Sequence, residues 1–150
     1  FCLPTGAAIN TTVDDMLVQI DLEDLGTGVL AAAGPCQRRS GTPGLTSVCA
    51  FSFNPNELAN LEATNSIDDI ASHELLHCLG FGTTWFGQVT NSAGADPRFT
   101  GPTAVAEWQA LGGTGNVPLE PGSPSHWNET IFANELMTPQ AVFGFMPLTV

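Results

Sequence analysis

The stretch that decides the fold is SIDDIASHELLHCLGFG, residues 66–82, which has the pattern of one helix with a defined beginning and end. Ser66 followed three residues later by Asp69 resembles a capping box, and the acidic side chain suits the positive end of a helix dipole. Gly80 then supplies a residue type that commonly ends a helix. The sequence therefore predicts a helix over residues 66–79.

Inside that helix, residues 73–77 read His-Glu-Leu-Leu-His, an H-E-x-x-H pattern. Positions four apart lie about 40° apart around a helix axis, so the imidazoles of His73 and His77 can bind one metal ion. Glu74 lies beside them, close enough to act on a water molecule at that ion. Imidazole suits zinc, and three protein ligands would leave one coordination position open for chemistry. The helix side chains expected to pack into the core are Ala71, Leu75, Cys78 and Leu79.

The third ligand is not decided by the helix itself. The common continuation of the pattern, H-E-x-x-H-x-x-G-x-x-H, is half present, because Gly80 occupies the glycine position but Thr83 stands where the histidine would be. The chain has one further histidine, His126. A glutamate ligand is the competing option, but no candidate lies in an E-x-x-D context on an obvious following helix. The candidate glutamates are Glu107, Glu129 and Glu135.

Three separated motifs resemble the leishmanolysin-type metzincins, a family of zinc proteases. They are HELLHCLGF at residues 73–81, SHW at residues 125–127 and NELMTP at residues 134–139. In that family an insertion separates the glycine of the zinc helix from the third histidine, and a methionine turn lies beneath the metal. The resemblance covers roughly residues 28–139, and its combination of motifs is specific.

The resemblance implies a function and a residue for each role in it. His73, His77 and His126 would bind Zn²⁺, Glu74 would be the general base, and Met137 would be the Met-turn residue. The activity implied is zinc-dependent endopeptidase activity on protein or peptide substrates, with a zinc-activated water attacking the peptide bond. An extended substrate would pair with an exposed strand edge, as in related metzincins.

The fold implied is an α+β, metzincin-like catalytic domain: a small sheet with the active-site helix, followed by an irregular C-terminal subdomain. It would span residues 1–150 as a single domain, with subdomains at 1–80 and 81–150. The patterning predicts strands and a second helix, and an irregular stretch after that helix. The strands are expected at residues 16–22, 29–33 and 45–53, the helix from Pro102 or Thr103 to Leu111, and the irregular stretch at 112–125. The strand at 29–33 is short and is expected at a sheet edge, where it is the candidate substrate-pairing edge.

Parts of the usual metzincin framework are missing from the sequence. Residues 1–65 leave no room for the strand-helix-strand opening of the family, and the chain stops at Val150, before the usual final helix. The sequence also begins at Phe1 without an initiator methionine. These departures predict a chain truncated at both ends, or one that belongs to a larger polypeptide or extracellular assembly.

The charge balance excludes some partners. The chain carries 15 acidic and 3 basic residues, a formal net charge of −12. Such a surface does not neutralise phosphates, so nucleic acid is not an expected partner, and neither is an anionic membrane. Every apolar run is short and broken by glycine, proline or charge, so no transmembrane segment is expected.

Cysteines at 2, 36, 49 and 78 allow three disulfide pairings, and the sequence alone does not choose among them. Cys36 and Cys49 are 13 positions apart and flank a turn-like segment that suits a disulfide. Cys78, on the expected core side of the helix, is a candidate disulfide partner, and Cys2 is one option for it. The alternative is buried free thiols in a cytosolic domain.

Two N-x-T sequons support an extracellular setting. Asn10 and Asn128 are candidate glycosylation sites. Together with the cysteines they predict a secreted or cell-surface protein.

Two other functions compete with peptide hydrolysis. One is a non-catalytic extracellular structural or adhesive module that keeps the zinc site. Glu74 argues against it, because a purely structural zinc site needs no general base. The other is Ca²⁺ binding at the acidic pairs Asp14-Asp15 or Asp68-Asp69, which lack the spacing of an EF-hand loop.

Overall fold

The computed structural model describes a chain of mixed α+β architecture, as the sequence predicts. The residues it describes are 2, 12–40, 44–85, 87–142 and 146–149. The chain divides into two compact units, Phe1–Thr84 and Trp85–Val150. Within the described ranges, no helix combines the length and the apolar composition that crossing a bilayer requires.

The first unit is built on a three-stranded sheet. Its strands are β1 (Leu17–Leu22), β2 (Ala31–Arg38) and β3 (Thr46–Phe53), in the order β1-β3-β2. β1 runs parallel to β3 and β2 runs antiparallel to it. The central strand is the most buried, as expected for a strand with neighbours on both sides. The strands predicted at residues 16–22 and 45–53 are confirmed to within one residue.

The strand predicted at residues 29–33 is only partly correct. β2 begins at Ala31 and continues through Gly34 and Pro35 to Arg38, past the predicted end at residue 33. Proline lacks the N–H that a central strand needs, but it is tolerated at an edge. β2 is an edge strand, as predicted, and its pairing with β3 becomes irregular between Pro35 and Gln37.

Two helices follow the sheet in the same unit. They are α1 (Leu58–Ala63), which the sequence analysis missed, and α2 (Ile67–Leu79), which carries H-E-x-x-H as predicted. The prediction of a capping box is wrong, because Ser66 makes no side-chain cap hydrogen bond. Its hydroxyl donates to the carbonyl of Thr64 instead, at 3.2 Å. α2 packs against β2 and β3.

The buried face of α2 matches only part of the one we expected: Cys78 is fully buried, as predicted. Leu75 and Leu79 are 37% and 64% exposed, so their assignment to the core is wrong. The buried positions are Ile70, Glu74, His77 and Cys78, which share one stripe of the helix. A disulfide from Cys78 to β3 holds this stripe, with its polar side chains, against the sheet.

The disulfides are Cys2–Cys36 and Cys49–Cys78. The pairing of Cys36 with Cys49 and of Cys2 with Cys78 is therefore wrong. Cys49 lies opposite Pro35 in the sheet, one position from Cys36, and neighbouring residues of a strand point to opposite faces. The side chain of Cys49 therefore lies on the opposite face of the sheet from that of Cys36, the face where it bonds to Cys78 of α2. Cys49 and Cys78 are both fully buried.

The second unit holds a small antiparallel sheet and two helices. Its elements are β4 (Val89–Thr90), β5 (Arg98–Phe99), α3 (Pro102–Ala110), β6 (Val117–Glu120), β7 (Ser123–Trp127) and α4 (Glu129–Phe132). The strand order is β4-β5-β6-β7. α3 confirms the predicted second helix. The irregular stretch predicted at residues 112–125 is only partly correct, because β6, whose first three residues are buried, and the start of β7 lie within it.

Stacked aromatic rings fill the core of this unit. The ring centres of Trp85 and Trp127 lie 5.2 Å apart, and those of Trp85 and Phe99 lie 4.2 Å apart. Phe132 of α4 extends the cluster, with its ring centre 5.8 Å from that of Trp127. Trp127 is 1% exposed, so this packing anchors the end of β7 directly after His126.

Candidate metal centre

His73 and His77 face each other one turn apart on α2, as their spacing predicts. Their Nε2 atoms lie 3.1 Å apart, and their rings meet edge to face at 81°. His77 is 6% exposed, because it lies on the face of α2 that packs against the sheet. Two imidazole nitrogens at this separation are placed to share one ion.

The turn after α2 sets the orientation of the His77 ring. The carbonyl oxygen of Phe81 lies 2.9 Å from His77 Nδ1. A carbonyl only accepts hydrogen bonds, so Nδ1 carries the proton and Nε2 keeps its lone pair. Burial lowers the pKa of His77, while the hydrogen bond to Phe81 raises it, with burial the larger effect. The neutral ring that a metal requires is therefore favoured.

Gly80 and Thr83 shape that turn. Gly80 ends α2 at a φ of 120°, and a Cβ at this position would lie 2.6 Å from the hydroxyl oxygen of Thr84. Thr83, which occupies the third-histidine position of the common pattern, donates its hydroxyl to the carbonyl of His77 at 2.8 Å. It thus satisfies a carbonyl at the end of the helix rather than contributing a ligand.

Glu74 is a buried carboxyl, only 6% exposed. Its pKa is raised from 4.5 to about 7, because burial raises it by more than the hydrogen bond donated by the backbone N–H of Ala33 in β2 lowers it. Its Oε2 is buried and has no hydrogen-bond partner among the described residues. An unpartnered buried carboxyl oxygen is costly to keep, so it indicates a ligand or a water molecule at this position.

His126 lies in a bulge of β7. Leu119 pairs with Trp127 and Glu120 pairs with Ser123, so three residues of β7 stand between two consecutive positions of β6. A bulge of this kind redirects side chains away from the regular alternation. His126 is the last of the three, directly before the buried Trp127.

The three histidines come together. His73, His77 and His126 each offer a ring nitrogen, and these nitrogens lie within 4.8 Å of one another. In the part of the chain that the structure describes, this is the one group of three or more such side chains placed to hold a metal ion. The competing glutamates, Glu107, Glu129 and Glu135, do not join it.

Glu135 has a different place, which the sequence analysis did not find. It is 1% exposed, and its two carboxyl oxygens accept hydrogen bonds from the backbone N–H groups of Met137, at 2.6 Å, and Thr149, at 3.1 Å. Met137 is fully buried, and its carbonyl accepts a hydrogen bond from the N–H of Trp127 at 3.0 Å. The predicted Met-turn residue therefore lies in a turn that Glu135 organises and that holds the end of β7.

The buried carboxyl of Glu135 makes stability depend on pH. Burial raises the pKa of Glu135 above its ordinary 4.5, and the two N–H donors oppose this. A raised pKa means that the contribution of Glu135 to the free energy of unfolding is fully present below about pH 4.5. That contribution is lost as pH rises through the pKa of Glu135 in the folded state. We expect the stability of the wild type, relative to Glu135→Gln, to fall as pH rises above 4.5. Urea unfolding of both proteins from pH 4 to 8 measures this difference, and a constant difference would contradict it.

The glycosylation candidates are placed differently by the structure. Asn128 is the N-cap of α4, where its Oδ1 accepts from the N–H of Ile131 at 3.2 Å and its Nδ2 donates to the carbonyl of Leu119 at 3.4 Å. Asn10 lies outside the described residues. Glycan attachment at either site stays a prediction.

Sequence comparison finds no known protein family and no curated protein that matches this chain. The leishmanolysin-like assignment therefore stays a prediction carried by the motifs.

Proposed function

We propose that this chain is a zinc-dependent endopeptidase of the leishmanolysin-like metzincin type. The observation that carries the proposal is the convergence of three imidazoles, two of them on the helix that also carries a buried glutamate with an unpartnered oxygen. A structural metal site requires the imidazoles but gives no reason for that carboxyl.

The donor set fits zinc. Nitrogens that bind one tetrahedral zinc ion at a typical Zn–N bond length lie about 3.3 Å apart, close to the 3.1 Å between His73 Nε2 and His77 Nε2. Three neutral imidazoles match the borderline-soft character of zinc and leave its fourth position open. His73, His77 and His126 would hold the ion.

Zinc, when bound, supplies a Lewis acid that polarises the scissile carbonyl and makes a water molecule acidic near neutral pH. Glu74 accepts the proton that the attacking water loses, and then transfers it to the nitrogen of the leaving amine. Burial, which raises the pKa of Glu74, makes its carboxylate a stronger base than an exposed glutamate, and this suits proton acceptance. The N–H of Ala33 holds the carboxyl in place.

The proposed substrate is an extended peptide that adds to the free edge of β2. β2 lies at the edge of its sheet and contacts α2, so a strand added there would run beside the zinc helix. Main-chain hydrogen bonds would supply affinity that depends little on side chains. Leu75 and Leu79, exposed on α2, offer apolar surface on the same helix.

We place the protein outside the cytosol. Two disulfides close loops in the first unit, and such bonds persist in oxidising compartments. Zinc-dependent proteolysis at the cell surface or in the extracellular medium accords with both the disulfides and the three-histidine site.

Metal removal tests the proposal. We expect one zinc per chain by elemental analysis, and cleavage of labelled casein that 1,10-phenanthroline abolishes and added Zn²⁺ restores. The non-chelating isomer 1,7-phenanthroline is the matched control and should leave the activity unchanged. Zinc bound at one per chain without any cleavage would instead indicate the structural or adhesive module. A chain that binds no zinc would overturn the proposal altogether.

A further inference from the structure

The unassigned feature with the clearest geometry is a pair of serine hydroxyls on the ring of His126. Ser123 Oγ lies 2.8 Å from His126 Nδ1, and Ser125 Oγ lies 3.1 Å from the same atom. All three side chains are half-buried. We propose that Ser123 and Ser125 are positioning residues that keep the proton of His126 on Nδ1 and present Nε2 to the metal. This inference rests on the proposed function, because it assigns a task to residues around the same ion.

The bulge of β7 explains why His126 needs such support. The ligand lies outside the paired positions of the ladder, between Ser123 and Trp127. His73 and His77 are oriented by a helix, whereas a side chain in a bulge has no such regular frame. Ser123 is the paired residue where the bulge begins, so its hydroxyl extends from a fixed point of the sheet to the ring.

The groups that lie at Nδ1 differ between His77 and His126. The ring of His77 meets a carbonyl, which only accepts, so its tautomer is set by the backbone. A serine hydroxyl both donates and accepts, and it rotates freely about its C–O bond. Two hydroxyls at one nitrogen can therefore accept from Nδ1–H in turn, so that loss of one leaves the other in place.

Removing both hydroxyls should weaken metal binding. An imidazole that loses the acceptor at its second nitrogen is less well oriented and is a weaker ligand, at a cost of about 10–100-fold in metal affinity. We expect Ser123→Ala/Ser125→Ala to raise the zinc Kd by that factor, measured by competition with a chromophoric chelator. Each single alanine variant should show a smaller change.

Three comparisons separate positioning from a general loss of structure. Ser123→Thr/Ser125→Thr keeps both hydroxyls and should bind zinc like the wild type. Ser92→Ala removes an exposed hydroxyl elsewhere in the same unit and should change nothing. In metal-free protein, ¹⁵N chemical shifts of His126 should report an Nδ1-protonated ring in the wild type and an Nε2-protonated ring in the double alanine variant.

The inference can fail while the proposed function stands. A double alanine variant that is folded by circular dichroism and binds zinc with the wild-type Kd would overturn it. An unchanged tautomer in the ¹⁵N spectrum would overturn it as well. A wild type that binds no zinc would overturn the proposed function, and the ¹⁵N comparison would still test the role of the hydroxyls.

Discussion

Glu74→Gln leaves one zinc bound per chain and lowers kcat for peptide hydrolysis by about 10²–10⁴-fold, the range expected for loss of a general base. Glutamine has nearly the same shape as glutamate and keeps an oxygen that can accept the N–H of Ala33. It cannot take a proton from water or return one to the leaving amine. Steady-state hydrolysis of a fluorogenic peptide measures kcat, and zinc analysis of the same sample measures the zinc content per chain.

The control for this result is Glu62→Gln, which neutralises an exposed glutamate of α1 and should keep full activity.

The pH dependence of stability gives a second test of Glu74, in metal-free protein. A pKa raised from 4.5 to about 7 means that the contribution of Glu74 is present below pH 4.5 and is lost as pH rises through 7. Glu74→Gln should therefore gain stability relative to the wild type between pH 5 and pH 8. A folded Glu74→Gln that cleaves peptides at the wild-type rate would exclude the proposed mechanism.

Loss of the Cys49–Cys78 disulfide should lower the free energy of unfolding by about 3–4 kcal/mol, the loop-entropy value for a sequence separation of 29. For a chain of this size that is roughly a 6–16 °C fall in Tm. The bond joins β3 to α2 directly after His77, so its removal also frees the helix to shift on the sheet. We expect Cys49→Ala/Cys78→Ala to bind zinc more weakly, as calorimetry and chelator competition can show.

The other disulfide supplies a matched control. Cys2–Cys36 has a sequence separation of 34, so its loop entropy is almost the same. Cys2 is exposed and neither cysteine lies on α2. Cys2→Ala/Cys36→Ala should therefore lower Tm by a similar amount but leave zinc affinity close to that of the wild type. Equal losses of zinc affinity in both variants would show that the Cys49–Cys78 bond has no special role in placing α2.

The part of the site that could be predicted from the sequence is the part that a helix determines locally. His73 and His77 share a side of α2 because residues four apart always do, and Gly80 ends the helix because it permits a φ of 120°. His126 was the one histidine that remained, and the resemblance to the metzincins favoured it over the candidate glutamates.

Other features could not be predicted because they depend on which surface α2 buries. Leu75 and Leu79 looked like core residues by composition, yet they are exposed. The disulfide from Cys78 holds the stripe with Ile70 and His77 against the sheet, and with it Glu74. The raised pKa of Glu74 is a consequence of that packing, so no local pattern could have indicated it.

By itself, the sequence determined a helix with two imidazoles one turn apart and a carboxyl beside them, because these relations lie within five consecutive residues. Only the tertiary structure decided how β7 bulges at His126, which cysteines pair, and that Glu74 and Glu135 are buried. Those features join residues distant along the chain, and their energies come from packing and desolvation, which exist only once the strands and helices have met.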